Sequence, residues 1–186
     1  MDAIRTWCTH VLRCVNSAPA PGTSKGAEIS SITTDRGVKL VDENEGLLRR
    51  AYRSGKPGRT VIDQITGVAR APAAAFEPRL PDPQKPDKIV DEALSVNVES
   101  SLRTAGLALT WAADLMKQYV ARITVGDCLA NDLEAYRHPL PENPHHGLIW
   151  GLVEMASRDR DRYERTLNAL ARASTIIPDE PVLTGN

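Results

Sequence analysis

Cysteine and phenylalanine are scarce in this chain of 186 residues. Its three cysteines, Cys8, Cys14 and Cys128, form no CxxC pair. Their odd number argues against a disulfide framework and their spacing against an ordinary zinc finger, so a reducing compartment is expected. Phenylalanine occurs once, and aromatic residues make up only 4% of the chain. The core is therefore predicted to be mostly aliphatic.

Long apolar runs are also missing. No stretch approaches the roughly 18 consecutive apolar residues of a membrane-spanning helix, so none is predicted. Arg5, His10 and Arg13 interrupt the apolar region that a secretory signal requires, and a cytoplasmic location is expected. Residues 2–16 still have the pattern of a short amphipathic helix. It would pack in the core or, alternatively, act as a transit peptide or membrane-surface helix.

Neither sign of charge is in excess. The chain has 23 Lys plus Arg against 24 Asp plus Glu, which gives a formal net charge of -1. This balance is not typical of a dedicated polyanion-binding protein. The phosphate-loop, dinucleotide and nucleophile-elbow motifs (GxxxxGKS or GxxxxGKT, GxGxxG and GxSxG) do not occur. No cofactor and no catalytic residue are therefore predicted.

Helical periodicity dominates the second half of the sequence. Residues 88–123 contain no proline and carry apolar side chains at steps of three or four, which predicts one long helix. Residues 97–101 and Gly106 are weak helix formers, at which this helix could bend or split. The continuity of the long helix is therefore left open.

Two further helices are predicted after it. Gly126 and Asp127 are typical of a helix end and a new helix start, which favours a helix from 127 to about 137. Asn143 followed by Pro144 is an N-cap signal, and a final helix from there to about 174 is expected. The predicted fold is mainly α, an antiparallel helical bundle with one long central helix.

The first half is predicted to consist of smaller elements. A β-hairpin of 29–33 and 38–41 is possible, with Gly37 in its turn. Five prolines within 71–87 disfavour helix and central strand alike. The predicted organisation is N-terminal helices and the hairpin at 1–70, a proline-rich linker at 71–87, a helical bundle core at 88–175 and a disordered tail at 176–186.

A second apolar row in the long helix suggests a protein contact. Leu107, Trp111 and Leu115 recur every four residues, roughly opposite the main row, and Trp150 lies off its own stripe. Such a helix needs cover on every side, from its own domain or from another chain. The first functional hypothesis is a non-catalytic α-helical subunit or adaptor. It would act through assembly with a protein partner or as a homo-oligomer.

A local excess of positive charge supports an alternative function. Arg49, Arg50, Arg53, Lys56 and Arg59 occur with no acidic residue among them. Two short helices around the 55–58 turn would resemble a helix-turn-helix in outline. The alternative hypothesis is a nucleic-acid-binding accessory protein that uses this strip, although a solvated helix face explains the charges as well.

A histidine-rich loop supports a third hypothesis. His138, Glu142, His145 and His146 provide nitrogen and oxygen donors within nine residues, which could hold a metal for a metal-assisted enzyme. No HExxH or HxH spacing occurs, so an exposed polar helix start is the simpler interpretation. A catalytic thiol at Cys128 is a weaker hypothesis, which rests on its place in the first turn of a predicted helix.

Overall fold

A computed structural model describes residues 33–34, 36–53, 60–63, 65–82, 84, 90–111 and 113–178, all within the compact unit Ser31–Asn186. Ten strands lie in this part of the chain: β1 (Thr33–Thr34), β2 (Gly37–Lys39), β3 (Gly46–Tyr52), β4 (Val61–Ile62), β5 (Ala69–Arg70), β6 (Leu94–Val98), β7 (Gln118–Thr124), β8 (Glu134–Arg137), β9 (His146–Trp150) and β10 (Thr175–Ile177). Its helices are a 3-10 turn (Ala73–Phe76), α1 (Glu99–Thr104), α2 (Val125–Leu129), α3 (Leu152–Arg158) and α4 (Arg160–Ala173).

Eight of these strands form one antiparallel sheet in the order β1-β2-β8-β9-β6-β3-β7-β10, and β4 pairs with β5 in a separate hairpin. Strands on both sides of the proline-rich segment meet in this sheet, because β3 lies between β6 and β7. The longest ladder joins β3 to β7 through seven residue pairs, from Gly46 with Thr124 to Tyr52 with Gln118. This ladder is the most extensive strand pairing in the sheet.

Both faces of the sheet are covered. On one face Leu47 and Ile123 belong to the main core, against which α4 packs with Tyr163, Leu167 and Leu170. On the other face Leu48 and Val120 form a smaller cluster with Leu102 of α1 and Leu109, and Leu107 and Trp111 pack against it. Strands covered on both sides read as continuous apolar runs rather than strict alternation.

The prediction of an α-helical bundle is wrong, and so is the all-α classification. The region 88–123 is not one long helix: it contains β6, the six-residue helix α1, a turn-rich segment and β7. Tyr119, Val120 and Ile123 are β-favouring side chains, and pairing with β3 buries them. The apolar positions at steps of three and four thus came from two strands, one short helix and a turn-rich segment.

The two later helices are corrected in the same way. The helix expected from 127 to 137 is α2 followed by β8, because α2 ends at Leu129 and Asp132 adopts a positive φ of 56°. The helix expected from 144 to 174 begins as β9 and becomes helical only at α3 and α4. In the segment expected to form a hairpin, β1 pairs with β2. The predicted helix at 2–16 and the residues 29–32 lie outside the described part of the chain.

No helix in the described ranges is long and apolar enough to cross a membrane. The helices α1 and α4 pack against the two faces of the sheet. Thr124 caps α2 through a reciprocal pair of hydrogen bonds with Asp127, and Asp159 caps α4 by accepting from the amide of Arg162. The first cap marks where the chain leaves β7 for α2, and the second marks the break between α3 and α4.

A nearly buried carboxylate ties α1 to the sheet. Glu99 accepts hydrogen bonds from Arg122 Nε of β7 at 2.6 Å and from Arg103 Nε at 2.8 Å. A Cβ atom at residue 46 would overlap the Glu99 carboxylate, which explains the glycine there. Burial alone would raise the pKa of Glu99, but the two arginines outweigh it and hold the pKa below its ordinary value of 4.5.

We expect Glu99→Gln to lower the free energy of unfolding by about 1–2 kcal/mol at pH 7, because Arg122 loses a charged partner. A depressed carboxylate pKa stabilises the fold above the unfolded pKa and loses that effect as the pH falls through the folded value. The difference between wild type and variant, measured by urea denaturation, should therefore shrink below about pH 4.5. A difference that stayed constant from pH 7 to pH 3 would contradict this.

Candidate functional site

The strands β3 and β6 separate part-way along the sheet. Their ladder has only two residue pairs, Leu47 with Val98 and Leu48 with Asn97, although β3 continues to Tyr52. Each strand keeps its other neighbour, β7 for β3 and β9 for β6. The sheet therefore has an opening between two of its interior strands, β6 and β3.

Arg49 spans this opening. Its Nη1 donates to the carbonyl oxygen of Ser95 in β6 at 2.8 Å, and its Nε donates to the carbonyl oxygen of Ala75 at 3.1 Å. The Ser95 carbonyl lies beyond the last residue pair of β3 with β6, and an unpaired buried carbonyl costs about 1–3 kcal/mol. The guanidinium thus replaces the missing part of the strand pairing.

A groove of about 860 Å³ follows the opening. Residues of β3, of β6 and of the segment 74–80 form its walls, and Asn143 and His146 reach it from the β9 side. Its volume lies in the range of small-molecule sites, which is roughly 300–1,000 Å³. The groove is therefore large enough for a substrate and lined mainly by polar groups.

Ser95 and His146 form a close pair in the groove. They are diagonal neighbours on one sheet face, since Ser95 pairs with Leu148 and His146 with Asn97. Ser95 Oγ lies 2.5 Å from His146 Nε2. The Ser95 side chain is exposed, whereas only 8% of His146 is exposed. An accessible hydroxyl against a sheltered imidazole is the arrangement of a nucleophile and its base.

The second ring nitrogen of His146 determines the tautomer. His146 Nδ1 lies 2.9 Å from the carbonyl oxygen of His138, which only accepts hydrogen bonds, so Nδ1 carries the proton. In the neutral ring Nε2 then accepts from the Ser95 hydroxyl. Burial lowers the pKa of His146 below its ordinary value of 6.5, and the positive charge of Arg50 acts in the same direction. The imidazole is therefore neutral at pH 7 and ready to take a proton.

Two asparagines hold the loop that delivers His146. Asn143 Nδ2 donates to Asn97 Oδ1 at 2.8 Å, and Asn143 Oδ1 accepts from the backbone amide of His145 at 3.1 Å. The bridge between Leu140 and Asn143 closes the tight turn in front of β9. This turn keeps His146 in register with β6, where Ser95 lies. The site is thus built on strands rather than on a long loop.

The four residues of the metal hypothesis do not act together in this arrangement. His146 faces Ser95, whereas His145 Nδ1 lies 2.9 Å from Ser101 Oγ and the His145 ring packs edge-on against Trp111. His138 stacks edge-on with His146, with ring centroids 5.8 Å apart. Within the described ranges no group of three or more His, Cys, Asp or Glu residues is placed to hold a metal ion. The metal hypothesis for His138, Glu142, His145 and His146 gains no support from their positions.

The basic strip is also divided. Arg49 and Arg50 are consecutive in β3 and point to opposite faces of the sheet, as strand geometry requires. Arg53 Nε donates to the carbonyl oxygens of Leu115 and Gln118. Lys56 and Arg59 of the predicted strip lie outside the described residues. The helix-turn-helix outline is wrong at its start, because Arg49 and Arg50 belong to a strand.

The predicted interface residues occupy two places. Leu107 and Trp111 are half-buried against the smaller core cluster, and Leu115 is half-buried further along the same segment. Trp150 lines a second cavity of about 780 Å³, where Arg36 lies 4.4 Å above its ring. Its buried Nε1 has no hydrogen-bond acceptor among the residues that the structure describes. A contact between these residues and another chain is not tested by this arrangement and stays a prediction.

The thiol that the sequence left in question is inert. Cys128 is fully buried in the main core, and burial raises its pKa to about 12. A thiol that stays protonated at neutral pH is a poor nucleophile. Cys128 is therefore a core residue.

Ser95, Asn97 and Asn143 were missed as site residues in the sequence. The segment 94–98, Leu-Ser-Val-Asn-Val, alternates apolar and polar side chains, which is the signal of a strand with one polar face. That signal would have placed Ser95 and Asn97 on one face, but their partners, His146 and Asn143, lie about fifty residues further along the chain.

Comparison with protein-family models, with curated proteins and with solved structures finds no match.

We expect His146 to carry its proton on Nδ1 at pH 7 and to titrate below pH 6.5. Long-range ¹H–¹⁵N correlation spectra of the histidine rings distinguish the two neutral tautomers directly. Ser95→Ala should leave the tautomer unchanged, because the His138 carbonyl still accepts from Nδ1. A proton on Nε2, or a pKa at or above the ordinary value, would contradict the geometry described above.

Proposed function

We propose that the protein is a serine-dependent hydrolase of ester substrates, with Ser95 as the nucleophile and His146 as its general base. The single observation that carries the proposal is the 2.5 Å contact between Ser95 Oγ and His146 Nε2 at the wall of an open groove. The His138 carbonyl has the orienting role that an acidic residue has in a triad. The sequence predicted no catalytic residue, whereas this proposal assigns two, Ser95 and His146.

The proposed reaction needs only these groups and water. Ser95 Oγ forms a bond to the ester carbonyl carbon while its proton moves to His146 Nε2 and the carbonyl π electrons move onto oxygen. The carbon–oxygen bond to the leaving group then breaks, and His146 returns the proton to that oxygen. In the second half a water molecule gives one proton to Nε2 and its oxygen bonds to the acyl carbon. The bond from that carbon to Ser95 Oγ then breaks, Nε2 returns the proton to Oγ, and the acid is released.

Arg50 lies where a negative intermediate would benefit. It is on the same sheet face as Asn97 and lines the groove, and its charge already acts on His146. A cation on this face of the sheet would stabilise the oxyanion that forms when Ser95 attacks. The same charge disfavours protonated His146, so the base stays deprotonated down to lower pH.

A fluorophosphonate probe tests the nucleophile directly, because it phosphonylates an activated serine hydroxyl and no other ordinary one. We expect labelling at Ser95, identified by peptide mass spectrometry, with a pH profile that falls as His146 becomes protonated. Ser95→Ala should abolish labelling, and His146→Gln should slow it by about 10²–10⁴-fold. Hydrolysis of p-nitrophenyl esters should be lost in parallel.

The chain offers a matched control in a second pair of serine and histidine. Ser101 Oγ and His145 Nδ1 lie 2.9 Å apart, but both residues are 92% buried and neither lines the groove. Ser101→Ala should therefore retain labelling at Ser95. Equal loss in both serine variants, with both folded by circular dichroism, or no labelling of the wild type, would refute the proposal.

Assembly through a protein contact stays a second candidate function, and the β4–β5 hairpin favours it. Val61, Ile62 and Val68 are exposed there, and Ile65 is 96% exposed in the turn between the strands. Clustered exposed apolar side chains mark contact surfaces more often than single ones. The occupant proposed is a second copy of this chain, because β4, which pairs only with β5 among the described strands, leaves an edge that can pair with its own kind.

We expect the wild type to show a concentration-dependent mass by analytical ultracentrifugation, and Ile65→Asp to reduce the association by about tenfold or more. Val41→Asp is the matched control, since Val41 is 73% exposed outside the hairpin. A monomer at every concentration up to hundreds of micromolar would reject self-association.

A further inference from the structure

Asn97 shares the face of the sheet that carries the Ser95 hydroxyl. Side chains two residues apart on a strand lie on one face, and Ser95 and Asn97 are two apart in β6. His146 pairs with Asn97 across the ladder and reaches Ser95 on the diagonal. Both Ser95 and Asn97 line the groove. The carboxamide of Asn97 is therefore the next polar side chain after Ser95 on this face of β6.

Hydrogen bonds in the turn before β9 fix which way the Asn97 carboxamide points. A backbone amide only donates, so the Asn143 atom that lies 3.1 Å from the His145 amide is the oxygen, Oδ1. The other end of the Asn143 carboxamide, Nδ2, then donates to Asn97 at 2.8 Å, and the accepting atom is Asn97 Oδ1. Asn97 Nδ2 is consequently the end that is left to bind another group.

This Nδ2 donor is unpaired. It has no acceptor among the described residues, although only 4% of Asn97 is exposed. It is not sealed in the core either, because the fully enclosed side-chain atoms without a partner in the described ranges are Tyr119 Oη, His138 Nδ1 and Trp150 Nε1. A sheltered donor without an acceptor is costly, and such groups are rare unless a water or a ligand completes them. Since Asn97 lines the groove, Nδ2 is available to a molecule bound there.

The spacing between the two side chains suits a substrate carbonyl. Two residues along a strand span about 7 Å. A carbonyl group whose carbon is bonded to Ser95 Oγ, together with one hydrogen bond of about 3 Å from Asn97, bridges such a span. Asn97 is thus placed to meet a substrate oxygen rather than Ser95 itself.

We propose that Asn97 Nδ2 is the oxyanion donor of the site and binds the carbonyl oxygen of the ester that Ser95 attacks. This inference rests on the function proposed above. When Ser95 Oγ bonds to the carbonyl carbon, its proton passes to His146 Nε2 and the carbonyl π electrons pass to oxygen. Asn97 keeps both of its Nδ2 protons and donates one hydrogen bond, which strengthens as the oxygen becomes negative.

Ester hydrolysis by matched variants tests the donor. Asn97→Asp keeps an oxygen for Asn143 Nδ2 but has no amide proton, so we expect kcat for a p-nitrophenyl ester to fall by about 10²–10³-fold, with KM within about threefold. Rates are compared above the pKa of His146, so that the new charge does not change the protonation of the base. Asn97→Ala is neutral and should lose as much, which separates loss of the donor from repulsion by the new carboxylate.

Asn143→Ala is the matched control for the structural role of Asn97. It removes the bond between the two asparagines but leaves the Nδ2 donor, so kcat should stay within about tenfold of the wild type. Equal losses in the Asn97 and Asn143 variants would show that Asn97 only holds the turn, and would overturn the inference. Full activity in Asn97→Ala would overturn it as well.

Wild-type protein keeps the test decisive if these variants do not fold. A trifluoromethyl ketone adds to an activated serine and forms a tetrahedral oxyanion without a leaving group. We expect one Nδ2 proton of Asn97 to shift downfield in ¹H–¹⁵N spectra when the ketone adds to Ser95. An adduct that leaves the Nδ2 resonances unchanged, or fluorophosphonate labelling without any ketone adduct, overturns the inference and leaves the hydrolase proposal intact. Absence of both the adduct and the labelling refutes the hydrolase, and the inference with it.

Discussion

The break in pairing between β3 and β6 is the constraint on which the rest of the site depends. A central strand that loses one neighbour leaves backbone donors and acceptors exposed, and antiparallel sheets usually avoid this. Here Arg49 takes over the pairing by donating to Ser95 and Ala75. One consequence is an open groove in the middle of a sheet. Another is a cation held against the backbone of Ser95, and both follow from the same departure from regular pairing.

The rigidity of the site has the same origin. Ser95 and His146 are held by the ladder between β6 and β9, which has four residue pairs, three of them in the part of β6 that no longer pairs with β3. Asn97 and Asn143 add a hydrogen bond across the end of that ladder. The geometry of the pair is therefore set by strand register and not by side-chain freedom, which is how sites hold reacting groups within a few tenths of an ångström.

Little of the fold could be predicted from periodicity, and the reason is specific. Between 88 and 123 alanine and leucine are frequent enough that a step of three or four finds an apolar residue, whatever the secondary structure. The alternation of 94–98 and the β-favouring run at 119–125 were the better signals. The helix α4 could be predicted within the 144–174 region because it is long and amphipathic, with Tyr163, Leu167 and Leu170 on its apolar side. The site was half visible: His146 was singled out, but Ser95 meets it only through the sheet, and no local pattern encodes that contact.

Solvent access, and not the pairing of serine with histidine, decides which pair can do chemistry. Ser101 and His145 lie almost as close together as Ser95 and His146. However, Trp111 packs edge-on against the His145 ring, and Ser101 is on the buried side of α1. Arg137 also donates to Ser101 Oγ, which stabilises that hydroxyl as an acceptor. No substrate reaches a hydroxyl so enclosed. Trp111, first singled out as a contact for another chain, thus covers the inner pair, while the opening beside Arg49 exposes the outer one. Two adjacent histidines, 145 and 146, consequently have different roles because successive residues at the start of a strand face opposite environments.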